Sequence, residues 1–196
     1  MMQENTAGNL VRILDTTANP APLGLLAFGM TTVLLNLHNA GLFGMGSVIF
    51  AMGIFYGGLA QIIAGIMEWK KSNTFGTVAF ISYGFFWISL VFVILMPVFG
   101  WGGEFSKEGF IAFLTVWGLF SLVMFFITFG LSKALQIVFG LLTLLFILLI
   151  VGNAMSSETV LRIAGGVGIL CGLSAMYTAL AEIMNEVYKK KIAPLA

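Results

Sequence analysis

Six long apolar stretches alternate with short polar interruptions along this chain, at about 22–42, 47–69, 74–99, 109–131, 133–153 and 159–187. None carries a charged residue in its central portion. A bilayer core about 30 Å thick takes about 20 apolar residues to cross as a helix, so each stretch predicts one membrane span. Capping chemistry marks where the helices begin. Asn19-Pro20 starts the first, with Asn19 as N-cap and proline at the first helical position. Ser72-Asn73-Thr74, Ser106 with Glu108, Ser132 and Ser157-Glu158-Thr159 supply caps for the third to sixth. Pro97, followed by Gly100, Gly102 and Gly103, closes the third span and opens the one substantial loop. The other links are short and make consecutive helices antiparallel neighbours. Residues 1–18 read differently, because Arg12 and Asp15 break up Leu10, Val11, Ile13 and Leu14. They predict a short amphipathic segment on the cytoplasmic membrane surface rather than a signal peptide. The organisation is thus 1–18 surface segment, 19–188 six-helix transmembrane domain and 189–196 basic cytoplasmic tail.

Composition narrows the class further. Of 196 residues, 60% are hydrophobic and 9% charged, against about 25% charged in a soluble domain. Mean hydropathy is +1.06, and there are too few charges to clothe a soluble globule. The fold class is therefore an all-α integral membrane protein. A net charge of +1 offers nothing to nucleic acid, and the single cysteine, Cys171, excludes an internal disulfide or a Cys-based zinc site. In its apolar setting Cys171 reads as a small buried hydrophobe. With six spans, Arg12, Lys70, Lys71, Lys133 and Lys189, Lys190, Lys191 share the end that holds both termini, and only Lys107 and Arg162 lie at the other. Seven against two places both termini in the cytoplasm. Glycine, at 24 residues, is also in excess. Gly53 and Gly57 in the second span and Gly168 and Gly172 in the sixth have the spacing that lets helix backbones approach in lipid. Both lie in a shared Gly-Ile-x-x-Gly-x-x-Ala string, so both helices are expected to pack tightly, either within a subunit or between subunits.

Polar residues inside the spans are the candidates for function, because they are costly there. Thr31, Thr32, Asn36, His38, Gln61, Glu68, Tyr83, Asn153 and Glu182 stand out, while most other Ser and Thr are expected to bond to their own helix. Glu68 and Glu182 lie near cytoplasmic helix ends within reach of lysines. His38 reads as a hydrogen-bonded residue at the outer end of the first span, beside Asn36 and Asn39. No hydrolytic or redox constellation and no phosphate-binding loop occurs, and no cofactor is called for. That leaves transport of a small solute, and the lack of mid-membrane charge disfavours a cation. In Asn19-Pro20-Ala21-Pro22-Leu23-Gly24-Leu25 the two prolines are expected to leave exposed amides at the first turn. Added to the helix dipole, these make an anion site. The plain alternative is that Asn-Pro only starts a helix.

That same string resembles the signature of the acetate uptake transporter family. The likeness continues through Phe28-Gly29-Met30-Thr31-Thr32, Asn36-Leu37-His38-Asn39 and Met52 to Gln61. Further on it includes Glu68, Asn73-Thr74-Phe75-Gly76 and Ser82 to Trp87, so that it covers residues 19 to 187. It implies a urea-channel-like homohexamer in the cytoplasmic (inner) membrane, with a pore through each six-helix subunit. It also implies proton-linked uptake of acetate and related small carboxylates, succinate among them. By motif position, the family's hydrophobic constriction falls on Phe28, Tyr83 and Leu142. Asn19, Pro20, Leu23 and Gly24 would hold the carboxylate, with Gln61 and Thr31 or Thr32 adding polar help. Asn36, His38, Glu68, Asn153 and Glu182 are candidates for a proton or polar pathway. The competing expectation is a passive channel for neutral solutes such as urea, amides or ammonia.

Overall fold

The structure, a computed structural model, describes residues 17–195. All but the last two residues of the 1–18 segment lie outside the described residues. Among the described residues, six helices are long and apolar enough to span a membrane: α1 (Ala21–Asn39), α2 (Ser47–Lys70), α3 (Thr74–Val98), α4 (Lys107–Gly130), α5 (Lys133–Ala154) and α6 (Glu158–Val187). Their bounds fall within a few residues of the hydrophobic pattern, because the polar caps set the starts. Asn73 accepts the amide of Gly76, Ser106 that of Gly109, Ser132 that of Leu135 and Ser157 that of Val160, at 3.0–3.4 Å. These bonds satisfy donors that lipid would leave unpaired.

The start of α1 departs from expectation by one residue. Pro20, already helical in φ and ψ, occupies the cap position, and Asn19 Oδ1 accepts the amide of Ala21 at 3.1 Å. Leu23 and Gly24 both donate to the carbonyl of Pro20. Pro20 and Pro22 have no amide to offer. The exposed first-turn amides expected for an anion site are therefore not formed, since every donor there is absent or already bonded.

Helices pack in the circular order α4, α5, α6, α1, α2, α3. The seam between α1 and α6 is the closest, and glycine is the reason. A Cβ on Gly165 would lie 2.3 Å from the backbone nitrogen of Ala40, and one on Gly168 2.1 Å from Asn36 Cγ. Gly29 and Gly172 face each other in the same way, each Cβ position falling within 2.7 Å of the other's carbonyl. In α2, Gly53, Gly58 and Gly65 receive Val91, Ile88 and Ile81 of α3. The glycines of α2 and α6 thus do bring helices close, with α1 and α3 as their partners within the chain.

The shared Gly-Ile-x-x-Gly-x-x-Ala string adopts two conformations. In α6 it is ordinary α-helix, whereas in α2 the run Met52–Ala60 is π-helical. A widened turn of this kind is rare and found mostly at functional sites, and nothing in the local hydrophobic pattern signals it. Beyond α6 the tail folds back: Asn185 bonds the backbone of Ile192 and Ala193, and the Tyr177 hydroxyl donates to the carbonyl of Pro194 at 2.9 Å.

A candidate permeation site

Around the circle of helices, backbone contact is sparsest between α3 and α4. Aromatic rings fill the opening instead. Phe86 stacks on Phe113 and meets Trp117 edge-on at 5.2 Å between centroids, and Tyr83 packs on Phe120 at 5.3 Å and on Phe139 at 6.1 Å. Tyr83 is buried, and its hydroxyl lies 2.8 Å from Ser121 Oγ. Ser121 already donates to the carbonyl of Trp117 at 2.8 Å, so Tyr83 is the donor of the pair. The bond crosses from α3 to α4 and fixes the ring's orientation.

Two cavities stand out inside the bundle formed by the described residues. The larger, about 640 Å³, opens at the end away from the termini, between Asn39 and Phe43 on one side and Asn153 and Arg162 on the other. Its deeper walls are Phe86, Trp87, Leu90, Leu114, Leu145 and Phe146. The smaller, about 70 Å³, lies toward the termini and is lined by Gln61, Asn73, Phe75, Phe80, Phe139 and Glu182, among others. Three residues line both: Phe28 of α1, Tyr83 of α3 and Leu142 of α5. All three are buried, and the Phe28 and Tyr83 rings are 5.9 Å apart between centroids. They form the partition between the chambers.

The other polar candidates divide around that partition. Thr32, Asn36, His38 and Asn153 line the larger cavity, and Gln61 and Glu182 the smaller. Asn36 Nδ2 donates to the carbonyl of Thr32, and Asn36 Oδ1 accepts from Asn39. His38 Nδ1 is 2.9 Å from the carbonyl of Phe43, which can only accept, so that nitrogen carries the proton. Asn153 bonds the carbonyl of Leu149 in its own helix. Glu182 Oε2 accepts from Asn19 Nδ2 at 3.2 Å, and Glu68 Oε2 accepts from Asn73 Nδ2 at 2.7 Å. Asparagine amides thus provide the hydrogen bonds to both carboxylates. Glu68 borders neither cavity directly and reaches the smaller one through Asn73.

Pro20, Leu23, Gly24 and Thr31 line neither cavity. Gly24 makes room for Phe80, whose ring would lie 2.6 Å from an added Cβ, and Thr31 packs over Gly57. Their part is to set the position of α1. Thr115, Ser121, Thr143, Ser174 and Thr178 bond to carbonyls of their own helices, as expected. Thr31 and Thr32 do not: their hydroxyls are buried without a partner among the described residues, as are Gln61 Oε1, Glu68 Oε1 and Trp87 Nε1. An unpaired buried polar atom costs about 1–3 kcal/mol. These orphans lie on α1, α2 and α3; Thr32, Gln61 and Trp87 line a cavity, and Thr31 and Glu68 do not. In the sequence Ser121 stands only among the span hydroxyls expected to bond their own helix, and Phe139 carries no signal; the fold shows that both hold Tyr83.

The model of the GPR1/FUN34/yaaH family matches residues 6–192. The chain belongs to this family. Among its relatives, the succinate-acetate/proton symporter SatP of Escherichia coli strain K12 is 50% identical over 178 residues, covering 91% of this chain and 95% of that protein. Acetate permease A of Emericella nidulans is 35% identical, covering 91% of this chain and 66% of that protein. Among solved structures, that of the bacterial acetate channel SatP superposes with a TM-score of 0.90 at 49% identity, covering 92% of this chain and 99% of that one. Family membership and the likeness to that channel agree with six apolar helices in identifying a multi-pass membrane protein.

Proposed function

We propose that this chain moves acetate and related small carboxylates, succinate among them, across the cytoplasmic membrane in step with protons. The observation that carries the reading is the partition: Phe28, Tyr83 and Leu142 are the three residues common to both cavities. A solute passing from one chamber to the other must slip between two rings and a leucine. That gap selects by width, and its apolar walls penalise a bare carboxylate unless it is protonated or compensated. The names of the relatives, symporter, permease and channel for acetate, support the same substrate class.

Gln61 and Glu182 meet the carboxyl group in the smaller chamber, on the cytoplasmic side. Asn19 serves by holding Glu182, a role that replaces the amide cradle first expected at the start of α1. Glu68 with Asn73, and Asn36, His38 and Asn153 at the opposite mouth, provide the polar relays on either side of the apolar gap. The subunits assemble as a homohexamer in the bilayer, with the 1–18 segment and the basic 189–196 tail in the cytoplasm.

Uptake of radiolabelled acetate into proteoliposomes, with and without an imposed pH gradient, tests the reading. Uptake that rises with an inward proton gradient and collapses with an uncoupler is expected. Uptake indifferent to both would overturn proton linkage. Passage of urea or ammonia with no passage of acetate would overturn the substrate class in favour of a neutral-solute channel.

A further inference from the structure

The two chambers are mismatched in size to the gap that joins them, and the mismatch suggests a ligand other than the transported acids. The larger chamber, at about 640 Å³, falls within the roughly 300–1,000 Å³ of sites that enclose drug-sized molecules. A two-carbon acid leaves most of it unfilled. From His38 at the mouth to Phe28 at the floor, α1 advances ten residues, about 15 Å of helix. The wall between is mostly apolar, with Leu90, Ile94, Phe110, Leu145, Phe146 and Leu149 among its residues and Thr32 and Asn36 the polar side chains that α1 contributes. Polar groups gather at the rim, where Arg162 is the cation. Its guanidinium spends one nitrogen on Glu158 at 2.6 Å, which leaves further N–H donors for an anion. At the floor the path narrows to the partition, beyond which only about 70 Å³ is open.

A mostly apolar sack about 15 Å deep along α1, with a donor-bearing rim and a narrow floor, fits an amphipathic anion. We propose that the larger chamber binds carboxylic acids with a medium-chain acyl or aryl tail. Their head group sits at Arg162 and their tail against Phe28, Tyr83 and Leu142, where they block the pathway without crossing it. The proposal rests on the transport reading above, because a plug is defined by what it stops. Each methylene buried in the chamber strengthens binding about fourfold, so affinity climbs along a homologous series until the tail reaches the floor.

The test uses butane-, hexane- and octanesulfonate, permanently ionised analogues that cannot ferry protons through lipid. They are placed on both sides of proteoliposomes so that protein orientation is immaterial. Labelled-acetate uptake is read in the unsubstituted protein, in Arg162→Ala and in Leu149→Trp, which fills the chamber. Arg162 is exposed, so its removal leaves folding intact even if the tryptophan variant fails to fold. The half-inhibitory concentration is expected to fall about fourfold per added methylene. Arg162→Ala should raise it roughly two- to fivefold, the scale of a partly exposed ion pair, and Leu149→Trp should flatten its dependence on chain length. Acetate uptake that no sulfonate inhibits would overturn the plug, as would inhibition identical in the unsubstituted protein and Arg162→Ala. Either result leaves the transport reading standing, because acetate is still taken up in both.

Discussion

The seam between α1 and α6 and the opening between α3 and α4 wall the same pathway, yet they are built in opposite ways. At the seam, glycines bring backbone onto backbone, so that Gly29 and Gly172 each lie within contact of the other's carbonyl. Across the opening the backbones stay apart, and Tyr83, Phe86, Trp117 and Phe120 fill the space with rings, tied by one hydroxyl-to-hydroxyl bond. Lipid offers no hydrophobic drive for helices to associate, so the close van der Waals packing at the seam is what holds the two helices together. The rings do a different job. They can be exchanged one at a time, which allows the width of the gap to be set without rebuilding the bundle. The rigid half holds Phe28 in place, and the side-chain half holds Tyr83 against it.

Substitutions should separate the two halves, and the largest effect belongs to the seam. Gly165→Ala adds one carbon 2.3 Å from the Ala40 nitrogen, a backbone atom that cannot rotate aside. We expect overpacking of about 3 kcal/mol or more and little folded protein on size-exclusion chromatography. Its neighbour Gly166 has open space at its Cβ. There the same change should be neutral or stabilise the helix by up to about 1 kcal/mol, so equal losses at both positions would contradict the seam.

Effects across the opening should be smaller and unequal. Ser121→Ala leaves the Tyr83 hydroxyl buried with no acceptor and should cost about 1–3 kcal/mol in thermal unfolding. Tyr83→Phe removes the donor as well and keeps the ring, while Ser121 retains the Trp117 carbonyl. That change should cost about 0.5–1.5 kcal/mol and preserve acetate uptake. The reverse order would mean that the bond does not orient the ring.

Much of this architecture was legible in the sequence, because apolar length and capping chemistry are local. Asn73, Ser106, Ser132 and Ser157 cap the helices they were expected to cap. Phe28 and Tyr83 could be placed from their motifs, and Leu142 falls at the partition although it lies in a featureless run of leucines. What was not legible depends on relations between helices or on whole turns of backbone. The glycine spacing announced close packing without naming α1 as the partner of α6. The string Gly53 to Ala60 matches Gly168 to Ala175 in pattern but winds as a π-helix, a difference that no residue within it reports. The proline-rich start of α1 suggested free amides, and the fold shows Asn19 and the Pro20 carbonyl occupying them. Thr31 and Thr32 are adjacent in sequence, yet only Thr32 reaches a cavity.

If solutes cross between Phe28, Tyr83 and Leu142, then Leu142→Ala should change which acids pass. Shortening that side chain widens the gap while leaving the seam and the Tyr83–Ser121 bond untouched. Uptake of labelled acetate and lactate should be compared side by side in proteoliposomes of the two proteins. Acetate uptake is expected to persist while the lactate-to-acetate ratio rises about tenfold, the effect of roughly 1.4 kcal/mol at the barrier. An unchanged ratio in a folded, acetate-transporting variant would place the pathway elsewhere.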